Sequence, residues 1–198
     1  SIASFVVPLL LGACIYTVPE KGVKYQNICS ILVKYEITFA TLVPSVIQCL
    51  RPYLNEMRLP HLKTCVMTAE ASPIGLLENW RACVPNARLI NLYGPTEATI
   101  WCTIADFSDR PVLGYNDMAM IGVPFDDVRA EIVGVDGNVL PPLERGELWI
   151  ATAQLTSGYL AKELTEAFAQ LDGERFYRTG DYCYKDEAGE FVYCGRID

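Results

Sequence analysis

Apolar residues along the first half of the chain alternate between two periods. Tyr25 to Glu36 places Ile28, Ile31, Leu32 and Tyr35 one or two turns apart, which predicts a helix with one apolar face. Residues 37–44 (ITFATLVP) read as a buried strand ended by Pro44. Ser45 to Leu54 predicts a second helix, capped or kinked at Pro52. Residues 62–69 (LKTCVMTA) form a β-rich run. Ser72 and Pro73 signal a helix start, with Ser as N-cap and Pro in the first turn. In the helix that follows, Leu77, Trp80 and Val84 share a face, and residues 87–94 (ARLINLYG) are the next strand. Strands and helices in alternation imply parallel strands with crossover helices.

Beyond about residue 106 the pattern becomes short β-runs: 127–134, 146–153 and 189–195. Turn signals separate them at Asp136-Gly137-Asn138, Pro141-Pro142 and Glu187-Ala188-Gly189. One short helix is expected near Thr165 to Gln170. The expected fold class is α/β. A parallel layered α/β subdomain at 1–108 is followed by a small β-rich, barrel-like subdomain at 109–198, with the boundary near Phe107 to Asn116. The N-terminal run SIASFVVPLLLGACIYTV lacks a positive n-region, carries Pro8 and does not begin with Met. It is too interrupted for a membrane span, so a buried core segment of a longer chain is expected.

Composition narrows the function classes. The 198 residues suffice for one compact domain or two small ones, and 51% hydrophobic with 20% charged residues is ordinary globular usage. A net charge of −8 argues against a nucleic-acid binder, which needs a basic stripe, but not against a nucleotide site built from local cations and backbone N–H groups. The eight cysteines show no C-x-x-C spacing and His61 is the only histidine, which argues against zinc. Most of the cysteines sit in apolar runs and read as small core residues of a cytoplasmic protein.

The most informative segment is Asn91-Leu92-Tyr93-Gly94-Pro95-Thr96-Glu97. It leaves a predicted strand at its C-terminal end, where open α/β sheets place ligands. Gly94-Pro95 forces a turn that presents the Thr96 hydroxyl and the Glu97 carboxylate. A hydroxyl can donate to a phosphate oxygen, and a carboxylate can hold Mg²⁺ beside phosphates. Spacing alone equally allows a plain strand–turn–strand with a solvated glutamate.

Further motifs bear on that choice. Asn91 to Thr99 (NLYGPTEAT) resembles the signature of the adenylate-forming enzymes: amino-acid adenylation domains, D-alanine-activating ligases and acyl-CoA synthetases. Gly146-Glu147-Leu148-Trp149-Ile150 with Gly158-Tyr159-Leu160 resembles that family's next motif. Tyr177-Arg178-Thr179-Gly180-Asp181 is similar to its Y-R-T-G-D motif, and Gly195-Arg196-Ile197-Asp198 to the start of its hinge motif. Residues 68–73 (TAEASP) resemble its adenine-side loop. The five motifs fall in the family's order. The resemblance implies part of the large N-terminal domain of an ATP- and Mg²⁺-dependent ligase that forms an acyl-AMP and pyrophosphate.

The resemblance also implies roles. Ala69, Glu70 and Ala71 would line the adenine, with Tyr93 stacked on it, Asn91 near its amino edge and Gly94 in the turn. Thr96 would touch the α-phosphate and Glu97 would ligate magnesium. Asp181 would accept from the ribose hydroxyls, with Tyr193 and Arg196 also on the ribose. Asp198 would sit at the hinge of a C-terminal lid. Val66, Thr68, Leu92, Ile100 and Trp101 would line a pocket for a small or apolar substrate, although Trp101 reads equally as core packing. YGPTE after Asn suggests an amino acid as the carboxylate activated, and a carrier-protein phosphopantetheine or CoA as the thiol acceptor. An acyl- or aryl-CoA synthetase and a non-catalytic nucleotide-binding module are the alternatives.

Two family elements, the upstream phosphate loop with its lysine and the C-terminal lid with its lysine, have no counterpart among these residues, so the chain by itself is expected to be inactive. Thr68-Ala69-Glu70 stands where the family usually has glycines, and Ala151-Thr152-Ala153 stands where Gly-x-Gly is common.

Overall fold

The computed structural model describes residues 2–160 and 166–197. Its first sheet is built from β1 (Phe39–Leu42), β2 (Thr64–Met67), β3 (Arg88–Tyr93), β4 (Thr103–Asp106) and β7 (Val123–Pro124), in that order. The first three strands are parallel, as the alternating pattern predicts. The last two run antiparallel, so the sheet is mixed rather than wholly parallel. The difference lies in the tight turn after β3, which returns the chain to the next position at once instead of through a crossover helix.

Four helices accompany this sheet: α1 (Ile2–Leu10), α2 (Lys24–Lys34), α3 (Pro44–Leu50) and α4 (Ile74–Cys83). The side chains of β2 alternate across the sheet. Cys65 and Met67 join the helix-side core with Ile47, Leu50, Leu77 and Trp80, while Val66 packs on the opposite face with Ile90 and Leu92. Trp80 is fully buried and donates its indole N–H to Cys65 Sγ at 3.2 Å.

A two-stranded ribbon, β5 (Gly114–Tyr115) with β6 (Met118–Ala119), lies between β4 and β7 in sequence. The second sheet is an antiparallel half-barrel of β10 (Phe168–Leu171), β11 (Glu174–Lys185), β9 (Gly146–Thr152) and β8 (Val128–Val133), with β12 (Phe191–Arg196) also paired to β11. The three β-runs expected from the sequence are β8, β9 and β12.

Several expectations change. Residues 168–171 form a strand paired with β11 instead of a helix, because Phe168 and Leu171 find cross-strand partners in Tyr177 and Glu174. Thr165 lies outside the described residues. Helix α2 stops at Lys34, since Glu36 takes a positive φ of 49° and Tyr35 is exposed. Helix α3 ends at Leu50, and Pro52 lies in a separate 3-10 turn at Arg51–Tyr53. Ser72 does not cap α4: its hydroxyl donates to Asn91 Oδ1 at 3.1 Å, and Pro73 occupies the cap position.

The N-terminal run is helical but not buried. Phe5, Val6, Val7, Leu9 and Leu10 of α1 are exposed, because an apolar helix still needs a facing surface before it can be buried. No helix among the described residues is long and apolar enough to cross a membrane.

The cysteines divide by burial. Cys65, Cys83, Cys102 and Cys183 are buried, whereas Cys14 and Cys49 are exposed, against the reading of small core residues. Burial pushes the Cys65 thiol up to about 12 and that of Cys102 to about 11, so neither forms thiolate near neutral pH. Alkylation with iodoacetamide at pH 8, followed by peptide mass mapping, should therefore modify Cys14 and Cys49 first. Cys65, Cys102 and Cys183 should react only after denaturant is added.

Candidate functional site

Strand β3 ends at Tyr93, and Gly94-Pro95 leads into a single 3-10 turn at Thr96–Ala98. The chain then reverses through Thr99 and Ile100, both β-branched residues at positive φ (59° and 80°), to enter β4. Such residues are outliers in this region, so the turn holds strain that neighbouring contacts must offset. The Cys102 N–H donates to the Tyr93 carbonyl at 2.7 Å, and the Thr99 hydroxyl to the Gln154 carbonyl at 2.7 Å. The Thr156 N–H donates to the Glu97 carbonyl at 2.8 Å. Gly94 is required sterically: a Cβ there would come within 2.5 Å of the Ile100 carbonyl oxygen.

The second wall comes from β11 and β12. The register of β11 against β9 is irregular between Arg178 and Tyr182. Glu147 holds this irregularity, accepting from Gly180 N–H at 3.0 Å and from Arg178 Nε at 3.1 Å. Gly180 has φ 70°, and an added Cβ would meet the Arg196 guanidinium at 2.8 Å. The next residue is Asp181, only 8% exposed. Its carboxylate accepts from the Tyr93 phenol and from Arg196 at 3.2 Å. Burial first, and then the Asp181 charge, push the Tyr93 phenol well above its ordinary range, so it stays protonated and donates.

A cleft of about 320 Å³ lies between these walls. Ala69, Glu70, Ala71, Asn91, Tyr93, Gly94, Thr96, Glu97, Asp181, Tyr193 and Arg196 all line it, so every residue assigned to the nucleotide and the metal meets there. Details differ within the set. Glu70 turns its carboxylate to α3, accepting from the Ser45 N–H at 2.9 Å and its hydroxyl at 2.8 Å, so its backbone and stem are left to face the cleft. Asn91 is 4% exposed and is held on both ends, accepting from Ser72 and donating to the Met120 carbonyl at 3.0 Å. Ala69 has φ 71°, in the left-handed region that glycine favours.

Of the five residues assigned to the substrate pocket, Val66, Leu92 and Trp101 pack together with Ile90, Ile104 and Phe125. The Trp101 indole donates to the Thr68 hydroxyl at 3.0 Å, which brings in a fourth. Ile100 stands apart, exposed and outside that cluster. Asp198 lies outside the described residues. Ala151 and Thr152 belong to β9, and neither they nor Ala153 takes a positive φ, so the missing glycines cause no strain there.

Further residues belong to the site. Tyr177 and Thr179 line the cleft, Ser72 lines it and holds Asn91, and Tyr159 donates its phenol to Glu97. Tyr159 and Tyr177 both lay inside motif segments, but no spacing signal links position 159 or 177 to 97. Among the described residues no group of three His, Cys, Asp or Glu side chains is placed to cage a metal ion. One carboxylate with a neighbouring hydroxyl instead fits magnesium in its usual mode, where phosphate oxygens and water complete the shell.

An α/β sheet whose central strand ends in a polar turn, facing a buried carboxylate from a second sheet, marks an α/β domain with a ligand-binding cleft. Residues 1–160 match the AMP-binding enzyme family, and the chain belongs to that family of adenylate-forming ligases. It is 38% identical over 146 residues to the D-alanine–D-alanyl carrier protein ligase of Bacillus cereus, covering 73% of this chain and 29% of that protein. It is 31% identical over 208 residues to chondramide synthase cmdD of Chondromyces crocatus, covering all of this chain and 5% of the relative. The crystal structure of the Vibrio cholerae adenylation domain AlmE with glycyl-adenosine-5'-phosphate superposes with a TM-score of 0.86 at 30% identity, covering all of this chain and 38% of that one.

Two backbone substitutions should behave oppositely. Ala69→Gly relieves a left-handed alanine and should leave thermal stability unchanged or raise it by up to about 1 kcal/mol. Gly94→Ala drives a methyl into a backbone carbonyl and should cost about 1–3 kcal/mol. Thermal unfolding of both variants checks the pair.

Proposed function

We propose that this chain supplies the nucleotide-binding part of a cytoplasmic ligase that activates a carboxylic acid, an amino acid by preference, as its acyl-AMP. The acyl group would then pass to a thiol, on carrier-protein phosphopantetheine or CoA. The observation that carries this reading is the meeting of Glu97 and Asp181 in one cleft, from different sheets and 84 positions apart in sequence (181 − 97). The glycyl-adenylate bound by AlmE and the D-alanine ligase relatives support an amino acid as substrate.

The residues divide the work in space. The Ala69 to Ala71 loop and Tyr93 form the adenine side, and Asp181 with Arg196 and Tyr193 the ribose side. A buried carboxylate already held by Tyr93 and Arg196 is fixed before a ligand arrives, and it retains acceptor capacity for sugar hydroxyls. Thr96 at the strand end would donate to a phosphate oxygen. Glu97 would hold magnesium against the phosphates, and the ion would neutralise the charge that builds as pyrophosphate departs. Behind β3, the Val66, Leu92 and Trp101 cluster offers an apolar surface for a small side chain.

A fatty or aryl acid is the second reading. The long-chain-fatty-acid-CoA ligase FadD1 of Archaeoglobus fulgidus superposes over 88% of this chain with a TM-score of 0.75 at 26% identity.

The test uses the intact protein that contains this chain. ATP–pyrophosphate exchange should depend on an amino acid drawn from a broad panel. Exchange with fatty or aryl acids alone selects the second reading, and no exchange with any acid refutes both. Asp181→Asn should weaken ATP binding by about 1–3 kcal/mol, because a charged acceptor becomes a neutral one. Unchanged ATP affinity by calorimetry would contradict the ribose assignment. Glu97→Ala should abolish magnesium-dependent exchange and leave the melting temperature nearly unchanged.

A further inference from the structure

The loop that follows β9 does more than connect strands, since it is tied to the turn that carries Glu97 at three points. One is a backbone bond, Thr156 N–H to the Glu97 carbonyl at 2.8 Å, and one joins the Thr99 hydroxyl to the Gln154 carbonyl at 2.7 Å. The third is the Tyr159 phenol, which donates to Glu97 Oε1. The loop is in turn secured from β11: Arg175 donates to the carbonyls of Thr156 at 2.8 Å and Ser157 at 3.1 Å.

The Tyr159 ring, 37% exposed, packs against aromatic neighbours on one side. It lies 6.0 Å from the Phe168 ring, which lies 5.4 Å from Tyr177 and has the Arg175 guanidinium 3.9 Å from its centre. Tyr177 stands beside both Tyr159 and Glu97. Glu97 therefore receives a phenol donor from the half-barrel side, while its backbone belongs to the turn after β3.

A glutamate at a strained strand end has three side-chain torsions to fix before its carboxylate can serve a cation. Carboxylate ligands are usually oriented by hydrogen bonds from a second layer of residues, and losing one such bond costs about 10–100-fold in metal affinity. We propose that Tyr159 is a positioning residue for Glu97: its phenol O–H, aimed by the Phe168 and Tyr177 rings, holds the carboxylate at the cleft so that a divalent cation and nucleotide phosphates find it already oriented. This inference rests on the magnesium–nucleotide reading above.

The variant is Tyr159→Phe, which keeps the ring between its neighbours and removes only the donor. The measurement is Mn²⁺ binding, in magnesium's place, to the intact protein with a non-hydrolysable ATP analogue, followed by electron paramagnetic resonance. Metal-free binding of the same nucleotide and the melting temperature are measured beside it. Tyr159→Phe should weaken Mn²⁺ binding about tenfold, with metal-free nucleotide affinity and melting temperature unchanged. In a Glu97→Ala background the same change should add nothing, because the group it positions is gone.

A Tyr159→Phe protein that binds Mn²⁺ as the wild type does overturns the inference and leaves the nucleotide reading standing. Equal losses in the presence and absence of Glu97 would show that Tyr159 acts through something else and would also overturn it. A wild-type protein that binds no Mn²⁺–nucleotide refutes the nucleotide reading, and this inference with it.

Discussion

The part-buried hydrogen bond from Tyr93 to Asp181 joins the end of β3 to the middle of β11, and the polar network of the cleft is organised around it. A carboxylate as buried as Asp181 is costly without partners, since desolvation of an unpaired charge exceeds what local packing returns. Tyr93 and Arg196 supply those partners from two directions. Asp181 N–H bonds back to the Thr179 hydroxyl at 3.0 Å, and that hydroxyl donates to the Leu148 carbonyl at 2.7 Å. The carboxylate is thus fixed from its backbone outward. Any ligand that uses it joins an existing network and need not order one, which is the usual form of electrostatic preorganisation.

Strain gathers around the same cleft. Ala69, Thr99 and Ile100 all take positive φ on its borders. Isolated, each would relax toward an ordinary conformation, at a gain of about 1–3 kcal/mol. They persist because the surrounding bonds over-determine them. The Thr99 hydroxyl is held by Gln154, and the turn below it by Thr156, both from the loop after β9. The strand-end turn therefore takes its shape from residues more than fifty positions away.

That dependence explains what could be read in the sequence. Periodicity predicted α2, α4 and the parallel strands β1 to β3, because each is decided by residues within one or two turns of each other. The motif segments marked the cleft residues, since backbone turns and carboxylates carry local signals such as Gly94-Pro95. What the sequence did not show was pairing between distant positions. Phe168 to Leu171 read as helical because its strand character comes from pairing with Glu174 to Tyr177. Ser72 read as a helix cap because its partner, Asn91, lies 19 positions on. Tyr159 carried no sign of its bond to Glu97, which spans 62 positions. The apolar N-terminal run read as core, whereas its burial depends on a facing surface that the described residues do not supply.

The two sheets could still shift against each other if only the Tyr93 bond joined them, and the segment from Met118 to Pro124 prevents this. Ala119 N–H donates to the Ser72 carbonyl at 2.8 Å, and the Met120 carbonyl accepts from Asn91, which anchors the segment to the helix-backed sheet. Ile121 and Gly122 then exchange three backbone bonds with Phe191 of β12, at 2.7 to 3.2 Å, before β7 pairs with β4. Ala119 and Ile121 also line the cleft, so the strip that couples the sheets is part of the cleft wall itself. Phe191, the partner of this strip on β12, is fully buried in the core of the half-barrel. Separating the walls would break this ladder and expose that core together. The distance between Glu97 and Asp181 is therefore set by hydrophobic burial and backbone pairing, and the polar residues of the cleft work at a spacing they do not themselves have to maintain.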